Sequence, residues 1–236
     1  MDTRTRTRAI LGAAALLTSQ AVGASDLSYT FMDFQAIDNT VDLVGRQSPV
    51  PGQTVDIAVT NGDGIAVAGS VAAGEHFFFG GSFSTSIIEL QGVVMSPLET
   101  VRVEDEFDLV FSTLELGYQR EIADNLDFVI GLMYETANYD FGSLAGEDFD
   151  LDDAGVGALV GFRWNPVPVF ELYASARQSP VGTASLTDRK LSEDTLVSAG
   201  MRWFFFEDLA LGFDYEDGEV ETFAITLRFG FGNLPW

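Results

Sequence analysis

Residues 222–231 read TFAITLRFGF, and the alternation in this stretch decides the fold. Phe223, Ile225, Leu227, Phe229 and Phe231 occupy one phase, while Ala224, Thr226, Arg228 and Gly230 occupy the other. Successive side chains of a strand point to opposite faces, so one face suits hydrocarbon and the other a crowded, polar interior.

The same pattern recurs upstream. Leu126, Phe128, Ile130, Leu132 and Tyr134 alternate with Asp127, Val129, Gly131, Met133 and Glu135, and Val156 to Trp164 alternate with Gly155 to Arg163. Ten such segments are expected: 27–37, 64–73, 77–90, 107–122, 126–139, 154–164, 169–179, 195–203, 209–215 and 223–231. Strict alternation of short turns with long connections, 38–63, 91–106, 140–153 and 216–222 among the latter, predicts an all-β, closed, antiparallel up-and-down transmembrane β-barrel. Short periplasmic turns and longer extracellular loops follow. Ten strands fit best, with eight or twelve as alternatives. In the strand at 107–122, Leu109 and Phe111 are out of phase with Leu114, Leu116 and Tyr118, which implies a bulge or an end rising above the membrane. A soluble sandwich also alternates, but here the second face is rich in Gly, Ala and Ser, poor residues for a solvated sheet.

The N-terminus points to export. Arg4, Arg6 and Arg8 precede the apolar run Ala9 to Leu17, and Val22-Gly23-Ala24 has the small residues of a cleavage site. Residues 1–24 are therefore expected to be a signal peptide and 25–236 the barrel domain. Nine apolar residues are too few for a helix that spans a bilayer, which needs about 20. The expected location is the bacterial outer membrane, after Sec-type export. No cysteine is present, which excludes disulfides and Cys-based metal or nucleophile chemistry.

Aromatics flank the short turns: Phe77–Phe79, Tyr118, Trp164 and Trp203–Phe206 mark one rim. Charge marks the other. The formal net charge is −24, and the long connections hold 21 acids against Arg46, Arg102, Arg189 and Lys190. Such a surface repels nucleic acid and favours divalent cations or basic partners, although solvated loops are often acidic for solubility alone.

Arg163, Arg177, Arg202 and Arg228 fall on the inward phase with Glu115, Asp127, Glu135, Glu171 and Asp214. Charges in a narrow barrel must pair, so an ionic network filling the lumen is expected. That argues against an open pore, since general porins use about 16–18 strands. Catalysis has little support: the lone His76 sits at a short turn beside Glu75, and no base accompanies the serines of the long connections. Asp148, Asp150 and Asp152 repeat at every second position like the start of a calcium loop. However, Asp153 replaces the Gly and Leu159 the final Glu that such a loop requires, leaving only a weak metal candidate. No cofactor is expected.

The segments LSYTFMDFQA (27–36), GIAVAGSVAAGEHFFFGGSFS (64–84), LELGYQREIADNLDFVIGLMYE (114–135) and TFAITLRFGF (222–231) resemble strand–turn–strand units of small bacterial outer-membrane barrels of the OmpA/OmpX type. The resemblance implies a bilayer and lipopolysaccharide environment, and assembly machinery that reads a terminal aromatic. Phe229, Phe231 and Trp236 are the candidates for that signal, and Pro235 departs from an unbroken final strand. The resemblance leaves activity open. A non-enzymatic protein of envelope structure or surface contact is expected, against a narrow cation-preferring channel or a secreted soluble β-protein. N-terminal sequencing of the exported protein is expected to begin at Ser25; a chain still carrying Met1 would overturn the cleavage reading.

Overall fold

The fold comes from a computed structural model, which describes residues 28–47, 54–95, 100–144, 147–185, 190–218 and 220–231. Ten strands follow one another: β1 Phe31–Gln47, β2 Thr54–Ala73, β3 Phe77–Met95, β4 Thr100–Ala123, β5 Leu126–Leu144, β6 Glu147–Val167, β7 Phe170–Ser185, β8 Lys190–Phe206, β9 Leu209–Asp217 and β10 Val220–Gly230. Each pairs antiparallel with its neighbour in sequence, and β1 pairs with β10 from Phe31–Gly230 to Val41–Val220, so the sheet closes and has no edge over that length.

Four short turns lie at one end, and hydrogen bonds tie neighbouring hairpins together there. Gln119 donates its N–H to the His76 carbonyl (2.7 Å), Asn165 to Asn125 (2.9 Å), Phe204 to Val169 (3.0 Å) and Gly230 to Asp208 (2.8 Å). Gly74 and Asn125 supply the left-handed residues that two of these turns require, with φ of 78° and 60°.

The expected long connections are mostly strand, which corrects the sequence reading. β1 and β2 continue through most of 38–63, β3 and β4 through most of 91–106, and β5 and β6 through most of 140–153. Period-two alternation arises only where the two faces meet different media. In the β4 extension Glu104, Asp105 and Glu106 are all exposed, so pairing continues while the pattern that reveals it fades. Register shifts at Thr40/Leu43, Val59/Gly62, Asp140/Ser143 and Ser179/Thr183 mark the extensions.

β4 needs no mid-strand bulge. Its ladder with β3 is unbroken from Phe77–Tyr118 to Met95–Thr100, and its register with β5 shifts only near the turn, between Glu121 and Ala123. Leu114 and Leu116 point outward, whereas Phe107 and Leu109 are buried inside, so the apolar phase changes because the upper lumen is itself apolar. The expected first strand also shifts: the ladder starts at Phe31, and residues 28–30 do other work.

Orientation is settled by exposure. Leu132 is 60% exposed and Val156 71%, whereas Val129 and Met133, on the alternate phase of the same wall, are buried. A closed wall with this outward band satisfies its backbone internally and presents apolar side chains to its surroundings, the condition for spanning a bilayer with strands. Leu132→Arg should therefore destabilise the barrel by about 2–4 kcal/mol near the midplane of a bilayer. Urea unfolding in phospholipid vesicles checks this; an unchanged midpoint would place that face in water.

Candidate functional site

The lumen is stoppered at the short-turn end by residues that precede the first strand. Tyr29 turns inward and packs its ring on Phe78 at 5.0 Å, with Val129 completing a buried apolar cluster. Its hydroxyl donates across the barrel to Asp127 (3.1 Å), and the Arg163 guanidinium lies 4.1 Å above its ring. Arg163 also donates to the Ser28 carbonyl at 3.2 Å, and Ala72 N–H donates to Thr30 Oγ1 at 3.1 Å, which anchors the segment to opposite walls.

Above the stopper lies a layer of ion pairs. Arg228 (β10) donates twice to Asp33 (β1), both at 2.8 Å, and reaches Glu171 (β7) at 3.3 Å. Glu171 accepts from Arg163 (β6) at 2.8 Å, while Arg202 (β8) donates to Asp214 (β9) at 2.5 Å and lies 3.7 Å from Asp33. Tyr173 and Thr226 also donate to Asp214. The layer links β1, β6, β7, β8, β9 and β10 through bidentate and charge-assisted bonds, the form in which buried charges survive low dielectric. A second pairing sits higher: Arg177 donates to Glu216 at 3.1 and 2.7 Å and also to Glu135.

Small residues make room for this. Arg202 lies over Gly212, its cross-strand partner, where a Cβ would come within 2.6 Å of the arginine Cδ. Tyr173 covers Gly200 and Phe78 covers Gly117 in the same way. The opposite wall, β2 to β4, carries Ala68, Ser82 and Thr113 and leaves space: a lower cavity of about 320 Å³ and an upper one of about 350 Å³ share these three residues and Glu115.

The structure thus brings together eight of the nine expected network residues and leaves one apart. Arg163, Arg177, Arg202, Arg228, Asp127, Glu135, Glu171 and Asp214 are all bonded, whereas Glu115 has no hydrogen bond or ion pair among the described residues. Asp33, Glu216, Tyr29 and Tyr173 belong to the network but were not expected in it. Asp33 could have been found from sequence, since an aspartate amid the apolar run at 31–37 requires a cation. Tyr29 carried no signal, because its role depends on the chain turning across the barrel.

Asp148, Asp150 and Asp152 lie on β6, with Asp152 paired to Asn138 and Asp150 to Asp140, so no twelve-residue loop curls there. Among the described residues no group of three or more potential ligands is placed to hold a metal. His76 is exposed at its turn, 5.7 Å from the Tyr118 ring. Acids of the far end, Asp38, Asp63, Asp140, Asp153 and Glu221 among them, are exposed on strand extensions rather than loops. Phe229 and Phe231 are exposed on the outer wall; Phe231 extends the closing ladder by donating its N–H to Thr30 (3.1 Å). Trp236 lies outside the described residues, as do residues 1–27 and the proposed cleavage site.

This geometry defines a class: a closed ten-stranded transmembrane β-barrel, apolar outside, ion-paired within and stoppered at one end. No family model matches the chain, and no curated protein does. Solved structures similar to it are outer-membrane barrels. The translocator domain of the autotransporter NalP from Neisseria meningitidis is 14% identical over 89% of this chain and 91% of its own, with a TM-score of 0.49. Neisserial surface protein A is 11% identical over 86% and 98%, with a TM-score of 0.41. OprG from Pseudomonas aeruginosa is 11% identical over 86% and 96%, also with a TM-score of 0.41.

Removing one partner from the ionic layer leaves charge buried. Asp33→Ala, which strands Arg228 and weakens Arg202, should cost about 3–5 kcal/mol. Asp33→Ala combined with Arg228→Leu should cost less than the single substitution. A double loss equal to the sum of the two single losses in vesicle unfolding would show that the two side chains do not act as a pair.

Proposed function

We propose that this is a non-enzymatic protein of the bacterial outer membrane, exported with residues 1–24 removed, that acts in envelope structure or surface contact through its acidic strand extensions. One observation carries the reading: the wall is built for lipid, while the Tyr29–Phe78–Val129 cluster and the ion pairs joining Asp33, Arg228, Glu171 and Arg163 reach across the lumen near the short turns, which supports a plug. Free diffusion needs an open axis at this level, and the histidine base that would activate a hydroxyl is missing from the far rim, the one histidine being His76 at a short turn. The partners this implies are the bilayer, lipopolysaccharide whose phosphates divalent cations bridge to the acidic rim, and the assembly machinery reading Phe229, Phe231 or Trp236. Nucleic acid would be repelled.

Purified protein in planar bilayers is expected to show no steady current, and whole cells to hold it in the outer-membrane fraction as a heat-modifiable band. Tyr29→Ala with Phe78→Ala should loosen the stopper and give intermittent conductance. A steady cation current in the unaltered protein would favour the narrow channel, and recovery in the soluble fraction would favour the secreted β-protein.

A further inference from the structure

The strands at the end away from the short turns are unequal. β9 and β10 form the shortest hairpin: β10 meets β1 no higher than Val41, and β9 meets β8 no higher than Val197. β1 continues six residues further, to Gln47, and β8 extends back seven, to Lys190. At about 3.3 Å per residue the two flanks exceed this hairpin by about 20 Å of strand. The rim therefore has a notch, and the upper cavity reaches it, with Val220 at the hairpin tip in its lining.

Inside the notch the cavity has an apolar upper wall, with Ile37, Leu109, Phe111 and Leu196 among its residues, and Glu115 below them. Glu115 pairs across the ladder with Gly80, and its Oε1 lies 2.8 Å from where a Cβ of Gly131 would be, so two glycines give its carboxylate room. The charges that face it are already committed: Arg177 to Glu216 and Glu135, and Asp214 to Arg202. Glu115, Asp214 and Glu216 line the upper cavity against Arg177 alone, an excess of negative charge. Glu115 is the member of that set left without a bonded partner.

We propose that the upper cavity is a binding site for a small organic cation, its ammonium on Glu115 and its apolar body against Leu109, Phe111 and Leu196, entered over the β9–β10 hairpin. A volume of about 350 Å³ accommodates one compact molecule, and of the four charged side chains that line it, Glu115, Arg177, Asp214 and Glu216, Glu115 is the one outside any ion pair, a placed polar group beside an apolar wall. An inorganic cation would gain from the carboxylate alone and nothing from the walls. This site goes beyond the surface-contact reading and needs only the membrane-seated barrel.

The test is calorimetric titration of the full mature chain in zwitterionic nanodiscs with benzylammonium, benzyl alcohol and sodium as separate probes. Benzylammonium should bind saturably, benzyl alcohol at least tenfold more weakly, and sodium should compete only weakly. Glu115→Gln should weaken benzylammonium at least tenfold, while Glu207→Gln, exposed at a short turn, leaves it unchanged. Heat-modifiable mobility checks that each variant folds. Ser84→Leu, which fills the cavity and keeps the carboxylate, should also abolish binding and serves if the glutamine variant fails to fold. Absence of saturable binding to the unaltered protein, unchanged affinity in both variants, or sodium competing as well as benzylammonium would each overturn the proposal.

Discussion

Closure of β1 on β10 is the constraint from which the rest follows. Every backbone group in a wall that faces hydrocarbon must be bonded within that wall, and only a sheet without edges achieves this. Asp33 and Arg228, cross-strand neighbours at that seam, share two bonds of 2.8 Å, so the closing strands are held by side chains as well as backbone. A ten-strand barrel leaves a narrow interior in which most charges are held away from bulk water, so they find one another across the axis.

That necessity divides the interior by height. The short-turn end is dry and aromatic, closed by Tyr29 and Phe78; the ionic layer stands above it on the side of β6 to β10 and β1. Glycines opposite Arg202, Tyr173 and Phe78 let large side chains lie against the wall instead of filling the axis. The β2 to β4 side has small residues and therefore open volume.

Most of the wall was legible in the sequence. Strands such as β5, β6 and β10 separate lipid from lumen at every residue, and that contrast survives as alternation. So did the arginines, since a cation among apolar residues needs a carboxylate and the inward phase supplied several. Strand ends did not survive: the β4 extension keeps an unbroken ladder with β3 while Glu104, Asp105 and Glu106 are all exposed, so it lost the pattern and kept the pairing, and the β1–β2 extension resumes its ladder after a register shift. The phase change within β4 was visible but ambiguous, because an apolar residue facing hydrocarbon and one facing an apolar lumen look alike along the chain.

Sequence alone determined the closed antiparallel barrel, an even strand count with ten the best fit, the faces of the clearly alternating strands, and that the lumen must be ionic. These are local consequences of a two-residue period and of the cost of unpaired charge. Tertiary structure alone decided the pairings across the axis, the turn of Tyr29 over the opening, and the isolation of Glu115 beneath a notch. Those depend on register and strand height around a closed ring, where residues far apart in the chain meet at one level, and no local period encodes that distance.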